Sequence, residues 1–362
     1  MAYTTVNDPT EYFNTKLYTG NGTLGHAIKG VGFKPDWVWV KDRSEAHDHK
    51  ITDSSRLGGG SGPTRTLEAN TTGAEYDDQG EGSDATTSFD TDGFTLGSND
   101  NYNEKSNTYV AWCWKANGAT TTTNDASSTS IGTIDSVHQA NTTAGFSIVT
   151  YTADGNNNAS FAHGLGTAPK WVLIKNRDTA RSWLVGHHKI GFTHTTGHLN
   201  STDDADEDAV YFNNTAPTST VVTLGTNEAG NESGDKFVAY CFAEVQGYSK
   251  FGTYTGNGAE AGPYIYTGFK PAWLMIKNMG AAEEWVLQDS TRSIDNPATI
   301  NTRVDANITE ADASSLDINY HSNGFKIKSD QAQLNSNDVQ YAYMAFAESP
   351  FVTSNGTPNT AR

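Results

Sequence analysis

The sequence lacks the features on which several large classes of protein depend. It has two cysteines in 362 residues, and 24 basic residues against 42 acidic ones, for a formal charge of −18. No apolar run approaches the ~18 residues of a membrane helix, and the amino terminus does not read as a signal peptide. Lysine and arginine form no cluster that could follow nucleic-acid phosphates. We therefore expect no disulfide framework, no membrane insertion, no nucleic-acid partner and assembly in a cytoplasm.

Motifs of catalysis are missing as well. The sequence contains no HExxH zinc motif, no GxSxG nucleophile motif, no phosphate-binding P-loop and no GxGxxG followed by a helix. Acidic residues are too abundant for any one pair to stand out as glycosidase carboxylates. We therefore expect no catalytic residue, no enzyme activity and no organic cofactor.

What the chain does contain is one set of motifs written three times. Trp37, Trp171 and Trp273 each lie two residues after a proline and begin an apolar segment that ends in a lysine four residues later. A repeat of roughly 100 residues is too long for a solenoid unit and suits a small domain with its own core. A second aromatic and apolar segment closes each copy: Tyr109–Trp114, Phe237–Phe242 and Tyr341–Phe346.

The composition favours strands and turns. Aromatic residues make up 11% of the chain and glycines number 35, which suits many short strands joined by turns. We predict an all-β fold of three tandem antiparallel β-sandwich, jelly-roll-like modules of roughly 100 residues each. The predicted division is an N-terminal lead or attachment segment (1–15), module 1 (16–117), a Thr/Ser-rich linker (118–143), module 2 (144–247), module 3 (248–349) and a polar C-terminal tail (350–362).

The strands that carry the repeated tryptophans are apolar on both faces. In the first copy Trp37 and Trp39 point to one side, whereas Val38 and Val40 point to the other. Strands of this kind are covered on both sides, so a neighbouring module, a loop or another subunit must lie over the second face. The predicted core residues are Trp37, Trp39, Trp112, Trp171, Trp273, Tyr240 and Phe346.

An acidic loop in module 2 is a candidate calcium site. Asp204, Asp206 and Asp208 alternate along it and could supply the oxygen ligands that Ca²⁺ prefers. The loop lacks the central glycine and the distal glutamate of the helix-loop-helix calcium site. The alternative interpretation is a solvated loop without an ion.

A short polar motif occurs at the same place in copies one and three. Asp53-Ser54-Ser55-Arg56 recurs as Asp289-Ser290-Thr291-Arg292, and copy two has His187-His188-Lys189 instead. A catalytic serine is one interpretation, but no histidine accompanies the third copy. We predict a turn that is held by the aspartate side chain and paired with the arginine. The histidines of module 2 could ligate a transition metal, although their spacing is irregular.

These motifs, taken in order, resemble a known repeated module. The segments Tyr18–Gly22, Gly32–Arg43, Asp53–Arg56 and Thr108–Ala116 are similar to a β-module of virion structural proteins from marine tailed bacteriophages, including those of cyanobacteria. Those proteins are commonly described as tail-fibre-like. Copy three departs from the pattern, because Met279 stands where the other copies have Arg43 and Arg177.

The resemblance implies a virion location and a non-enzymatic structural role. The first expectation is a tail-fibre or spike component that adsorbs to the host surface, where its partners would be other virion proteins and a host glycan or protein. Alternatives are a capsid decoration or head-fibre protein and, third, a depolymerase of surface polysaccharide. Because phage fibre and spike proteins are generally trimers, the resemblance also implies a homo-oligomer, with a trimer as the first expectation. The competing account is that modules 2 and 3 cover one another within one chain.

Overall fold

The computed structural model describes residues 3–57, 64–77, 85–190, 192, 194–195, 197–293 and 300–358. These residues form an all-β fold, as predicted, with helices of no more than one turn. The strands fall into three units that follow one another along the chain and match the three sequence copies.

Unit 1 follows a short 3₁₀ turn at Pro9–Glu11. Its main sheet has the order β1-β9-β3-β4-β5-β6, and a smaller sheet has the order β2-β8-β7. Its elements are β1 Phe13–Thr19, β2 His26–Lys29, β3 Trp37–Asp42, β4 Lys50–Asp53, β5 Arg65–Glu68, β6 Tyr76–Asp77, β7 Thr86–Asp90, β8 Gly93–Leu96, α1 Asp100–Asn103 and β9 Thr108–Trp114.

Unit 2 has a main sheet of order β10-β11-β12-β19-β14-β15 and two small ribbons, β13-β18 and β16-β17. Its elements are β10 Thr122–Asn124, α2 Ala126–Thr129, β11 Ser136–Asn141, β12 Phe146–Thr152, β13 Ser160–Ala162, β14 Trp171–Asn176, β15 Leu184–His187, β16 His194–Thr195, β17 Asp206–Glu207, α3 Ala209–Phe212, β18 Val221–Thr223, α4 Glu228–Asn231 and β19 Lys236–Phe242.

Unit 3 forms one continuous eight-stranded antiparallel sheet of order β20-β27-β22-β23-β24-β25-β26-β21. Its elements are β20 Ser249–Thr255, β21 Tyr264–Tyr266, β22 Phe269–Asn278, β23 Val286–Asp289, β24 Ile300–Asp305, β25 Ala313–His321, β26 Gly324–Ile327, α5 Ala332–Asn335 and β27 Gln340–Pro350.

The three units share one strand arrangement. In each, the last strand (β9, β19 or β27) lies between β1, β12 or β20 on one side and the tryptophan strand on the other, and the tryptophan strand in turn pairs with the strand after it. The register is also the same, since Trp37 lies opposite Trp114, Trp171 opposite Phe242, and Trp273 opposite Phe346. Each repeated tryptophan therefore lies in a buried strand beside the last strand of its unit.

The Tyr-Thr-Gly-Asn-Gly motif serves the fold. A Cβ atom on Gly20 would lie 2.1 Å from the carbonyl oxygen of Glu104, so only glycine fits there. The buried Asn103 accepts the amide of Asn21 at 2.8 Å and donates to the carbonyl of Gly97 at 2.7 Å. Equivalent bonds are made by Asn335 in unit 3, and the motif therefore ties the first strand of a unit to its single-turn helix.

The prediction of a linker at 118–143 was wrong. The segment contains β10, α2 and β11, and β11 pairs along its length with β12 of unit 2. Its threonines and Val137 have the β-branched side chains that favour strands, and its single-turn helix is capped by Asp125. Gln139 of β11 is fully buried and donates to the hydroxyls of Ser54 and Ser55 in unit 1. The segment is therefore an ordered part of the joint between units 1 and 2.

The predicted lead and tail lie close together. In the lead (1–15), the Tyr3 hydroxyl donates to the carbonyl of Gly268 at 2.7 Å, and Phe13 stacks on Phe346 with ring centroids 5.2 Å apart. In the tail (350–362), the amide of Ser354 donates to Asn7 at 2.8 Å. The first residues of the described chain are therefore attached to unit 3.

Candidate functional site

The second face of the tryptophan strands is covered by other units of the same chain. Trp37, Trp171 and Trp273 belong to one continuous apolar core, and each is at most 1% exposed. Rings from different units are in contact: the centroids of Trp37 and Tyr240 lie 4.7 Å apart, and those of Trp114 and Trp273 lie 5.6 Å apart. All seven predicted core residues are buried. These faces therefore need no second subunit to cover them, and the oligomeric state stays a prediction.

The turn after β4 joins unit 1 to unit 2. Asp53 and Arg56 are buried there, and the guanidinium Nε donates to Asp53 Oδ2 at 2.5 Å. Backbone amides of the turn donate to Asp53 Oδ1, as predicted for an aspartate that holds a turn. The hydroxyl of Tyr240 in β19 donates to the same Oδ2 at 2.6 Å and accepts from Arg56 at 3.2 Å. No pattern in the sequence indicates this tyrosine as a partner of the turn.

The same turn in unit 3 faces unit 1. Arg292 Nε donates to Asp289 Oδ2 at 2.6 Å, and so does the indole Nε1 of Trp112 at 3.1 Å. The guanidinium of Arg292 lies 5.4 Å from the centroid of the Trp112 ring, within the range of a cation–π contact. Trp112 occupies in β9 the position that Tyr240 occupies in β19, as the register of the two sheets shows.

The third joint, between units 2 and 3, has no ion pair at this place. His187 takes the position of Asp53, and Met344 takes the position of Tyr240. Burial lowers the pKa of His187 to about 3, so the side chain is neutral at ordinary pH. The contact is aromatic and apolar, with the centroids of Trp171 and Trp285 6.3 Å apart and Ile190 packed against the shared core. A methionine side chain has no hydrogen-bond donor, so Met344 could not satisfy a buried aspartate at this position.

A second set of contacts between the units shows the same pattern, with an ion pair at two joints and none at the third. Arg177 of unit 2 makes two bonds of 2.8 Å to Glu75 of unit 1, and Arg43 of unit 1 binds Asp312 of unit 3 at 2.6 Å. At the joint of units 2 and 3, the amide of Ala205 donates to the carbonyl of Met279 at 3.3 Å and no charge is involved. Met279 replaces the arginine of the other copies, and the residue opposite it, Ala205, replaces their acidic residues Glu75 and Asp312.

Each of the three joints contains one buried lysine from the end of a tryptophan strand. Lys41 donates to the carbonyl of Thr309 in unit 3, Lys175 to Thr72 in unit 1, and Lys277 to Thr202 in unit 2. Burial lowers the pKa of Lys41 and of Lys277 to about 8 and that of Lys175 to about 7. Each repeated lysine thus ends its own strand and reaches the backbone of the neighbouring unit.

The joints form a closed cycle, because unit 1 meets unit 2, unit 2 meets unit 3, and unit 3 meets unit 1 through equivalent elements. A cyclic assembly of three identical chains repeats one head-to-tail contact in this way. Here the three copies lie in one chain, and the sequence differences place a buried Asp–Arg ion pair in the turn at two joints and none in the turn at the third. The three units of this one chain are thus arranged like the subunits of a cyclic trimer, except that their joints are not identical.

The candidate calcium residues Asp204, Asp206 and Asp208 lie within and on either side of the two-residue strand β17. Asp204 is exposed, and Asp208 caps α3 through a 3.0 Å bond from the amide of Val210. The side chain of Asp206 lies outside the described residues. Calcium at this loop stays a prediction.

One group of possible metal ligands is found elsewhere, formed by Asp42, His47 and Glu104. Asp42 is fully buried and accepts bonds from the amides of Ser44 and Glu45 and from Asn107. Its oxygens are thus already occupied in holding a turn.

None of the described helices has the length and apolarity that a membrane crossing needs.

An exposed aromatic patch lies on unit 3. Tyr264 and Tyr266 point outward from β21, the terminal strand of its sheet, and are 46% and 55% exposed. His321 packs edge-on against Tyr264 with ring centroids 5.6 Å apart, and Asn323 accepts the hydroxyl of Tyr264. The hydroxyl of Tyr3 lies 3.3 Å from that of Tyr266. Ala27 and Lys29 hold the matching positions in unit 1, which therefore lacks this aromatic pair.

The strand order, the shared core and the cyclic joints define an all-β chain of three repeated units that fold as one body. The chain belongs to the family described as domain of unknown function DUF7483, whose model matches residues 8–350 and so takes in all three units. No match was found among curated proteins or among solved structures.

Proposed function

We propose that this chain is a non-enzymatic structural protein of a tailed-bacteriophage virion, a tail-fibre or spike component that adheres to the host surface. The observation that carries the proposal is the aromatic patch of Tyr264 and Tyr266 with Tyr3 and His321. Exposed tyrosines present an apolar ring face beside a hydroxyl, and this combination suits the apolar faces and hydroxyls of a sugar ring. Host glycan is accordingly the ligand class of the proposal.

The scaffold behind the patch supports the same role. Buried ion pairs and a shared aromatic core connect the three units, and the lead that carries Tyr3 is attached to unit 3. A binding surface on a rigid support loses less conformational entropy when a ligand binds. The formal charge of −18 also opposes casual association of such chains.

Host binding can be tested with fluorescently labelled protein and intact host cells. We expect the double variant Tyr264→Ala/Tyr266→Ala to bind cells several-fold more weakly than the parent, because both ring faces are removed while buried residues are untouched. The matched control is Leu24→Ala/Ile131→Ala, which removes exposed apolar side chains elsewhere. Equal binding by both double variants and the parent would contradict the proposal.

Capsid decoration is the second candidate, and one observation favours it. A body with three similar units around a shared core matches a threefold position on a capsid better than a chain without internal repetition. Mass spectrometry of separated heads and tails distinguishes the two candidates by the fraction in which the chain is found. A location in heads would replace the tail-fibre assignment.

We also propose that each unit is a jelly-roll-like sandwich. In unit 1 the main and smaller sheets share a core that contains Val38, Val40, Ile28 and Phe94, which supports a two-layer arrangement. The single continuous sheet of unit 3 departs from that description. An experimental density map tests whether the sheet of unit 3 folds over itself into two layers. An open single layer would limit the sandwich to the other units.

A homo-oligomer remains part of the proposal, with the trimer first, because virion fibres are built from several chains. Sedimentation equilibrium of the purified protein tests it. A monodisperse monomer of 38.9 kDa at micromolar concentration would exclude self-association of the isolated chain.

A further inference from the structure

A cleft lies at the joint between units 2 and 3, beside the edge strand β20. Its volume is about 590 Å³, within the range typical of small-ligand sites. The walls come from the segment before β14, the turn after β15, and β20 with the adjoining part of β27. The lining side chains on which the argument depends are Lys170, His188, Lys189, Glu244, Lys250 and Tyr343.

The charge of this cleft is opposite to that of the chain. Three ammonium groups, those of Lys170, Lys189 and Lys250, face one carboxylate, Glu244, which pairs with Lys250 at 2.6 Å. Lys170 and Lys189 make no ion pair with any described residue, so two positive charges are uncompensated. Acidic groups more than about 8 Å away are screened at physiological salt. An anion in the cleft therefore meets a local positive charge despite the overall −18.

A tyrosine hydroxyl in the wall of the cleft points to the same ligand chemistry. Tyr343 is 2% exposed and lines the cleft, yet its hydroxyl has no hydrogen-bond partner among the described residues. A Cβ atom on Gly252 would lie 2.5 Å from that hydroxyl oxygen, so the glycine leaves the space that the tyrosine occupies. The hydroxyl oxygen is open to the cleft, so an oxyanion bound there would accept a hydrogen bond from it.

The other side chains leave the cleft open. His188 Nε2 lies 2.7 Å from the carbonyl of Phe251, so this nitrogen donates its proton to the backbone. The equivalent joint of units 1 and 2 is closed instead. There Ser54 and Ser55 replace His188 and Lys189, and Gln139 of β11 donates to both serines. No described strand pairs with β20 on the side that β11 takes beside β12, and the cleft occupies this position.

We propose that this cleft binds an oxyanion, the carboxylate, sulfate or phosphate group of a small molecule or of an acidic saccharide. Lys170 and Lys189 supply the charge and the Tyr343 hydroxyl supplies a directed hydrogen bond. Lysine binds such groups as a point charge without the planar geometry of arginine, so the site accepts tetrahedral and planar oxyanions alike. The inference does not depend on adhesion by the aromatic patch, which lies on a different strand of unit 3.

The test is isothermal titration of the full chain with inorganic phosphate, with sulfate and with glucuronate, at constant ionic strength. We expect saturable binding of at least one of these anions. The double variant Lys170→Gln/Lys189→Gln should weaken it about tenfold or more, the scale of ~1.4 kcal/mol. The control Lys29→Gln/Lys34→Gln removes two exposed lysines elsewhere and should bind as the parent does.

Tyr343→Phe is the second variant and separates a site from a loss of fold, since it removes one oxygen from an otherwise unchanged ring. We expect it to melt like the parent, because the hydroxyl has no partner to lose, and to bind the anion several-fold more weakly. Binding of glucuronate without sulfate or phosphate would assign the site to carboxylates, and the reverse pattern to tetrahedral anions. The absence of saturable binding of all three anions, or equal losses in the cleft and control variants, would overturn the proposal.

Discussion

The hydroxyl of Tyr240 in unit 2 donates to the carboxylate of Asp53 in unit 1 over 2.6 Å, and both side chains are fully buried. A buried carboxylate is stable only when it is paired and well supplied with donors. Asp53 obtains these donors from its own turn, from Arg56 and from the neighbouring unit. At the equivalent position of unit 3 stands Met344, whose side chain has no hydrogen-bond donor. The turns of the three units are therefore not interchangeable. The polar joints thus specify which units lie side by side.

Removing this one hydroxyl should destabilise the whole chain. For Tyr240→Phe we expect a loss of about 1.5–3 kcal/mol in the free energy of unfolding, the range for hydrogen bonds to charged groups. Tyr151→Phe is a matched control, because that hydroxyl is also buried but donates to the neutral carbonyl of Gly230 at 2.7 Å. Its expected loss is about 0.5–1.5 kcal/mol. Denaturant unfolding measures both, and a larger loss for Tyr151→Phe would contradict the charge-based argument.

The outer ion pair of the same joint can be exchanged for its natural apolar counterpart. Burial acts to raise the pKa of Glu75, but bonds from Arg177 and Arg56 outweigh it and lower the pKa to about 2. Arg177→Met alone should therefore be destabilising, since Glu75 loses two charged donors. The double variant Arg177→Met/Glu75→Ala reproduces the pair found as Met279 and Ala205 at the third joint.

In this double variant we expect the loss of stability to be smaller than the sum of the two single losses. The difference should be about 0.5–3 kcal/mol, as for residues in direct contact. A complete double-mutant cycle by denaturant unfolding measures it. Additive losses would show that the two side chains are not coupled.

Much of the fold could be predicted from residues that repeat. The tryptophan strands, their register neighbours and the turn held by Asp53 all follow from local patterns, namely two-sided apolar strands and an Asp-x-x-Arg motif. The linker was mispredicted because a Thr/Ser-rich composition is shared by flexible segments and by edge strands. Whether such a segment pairs depends on a partner, here β12, which composition does not reveal.

The site was harder to predict, because its contacts join units that are distant in sequence. Tyr240 lies 187 residues from Asp53, and no pattern in a single sequence connects them. One signal was present: the copy that lacks the Asp-x-x-Arg motif faces the copy that has Met344 and Met279 in place of polar side chains. Those three differences occur at one joint, and only the structure shows that they belong together.

The shared core should make the three units unfold together. For Trp37→Ala and for Trp273→Ala we expect a loss of about 3–5 kcal/mol, the usual range for a large aromatic side chain in a core. Because both rings contact other units, a single transition should shift as a whole rather than split. Leu24→Ala, at a position 60% exposed, is the control and should melt like the parent. Variants that melt normally but fail to bind host cells would instead make these rings part of a binding surface.

The buried lysines predict an unusual dependence of stability on pH. In the folded chain the pKa of Lys175 is about 7 and that of Lys41 and Lys277 about 8, each lowered first by burial. An unfolded lysine has a pKa of about 10.4. Between these values the unfolded chain binds more protons than the folded chain, so the free energy of unfolding increases as pH rises. Below about pH 7 the penalty for burying the charged lysines is fully present.

Urea unfolding between about pH 7 and pH 8.5 isolates this effect. The window lies above the ordinary histidine pKa of about 6.5 and ends near the ordinary thiol pKa of about 8.5, beyond which ionisation of the unfolded cysteines opposes the trend. We expect the unfolding free energy of the parent to rise across it, and Lys175→Met to reduce that slope. Lys236→Met is the control, because the Lys236 side chain is 62% exposed, and should leave the slope unchanged. A parent whose stability is flat or falls across this window would show that the three lysines remain charged in the folded chain.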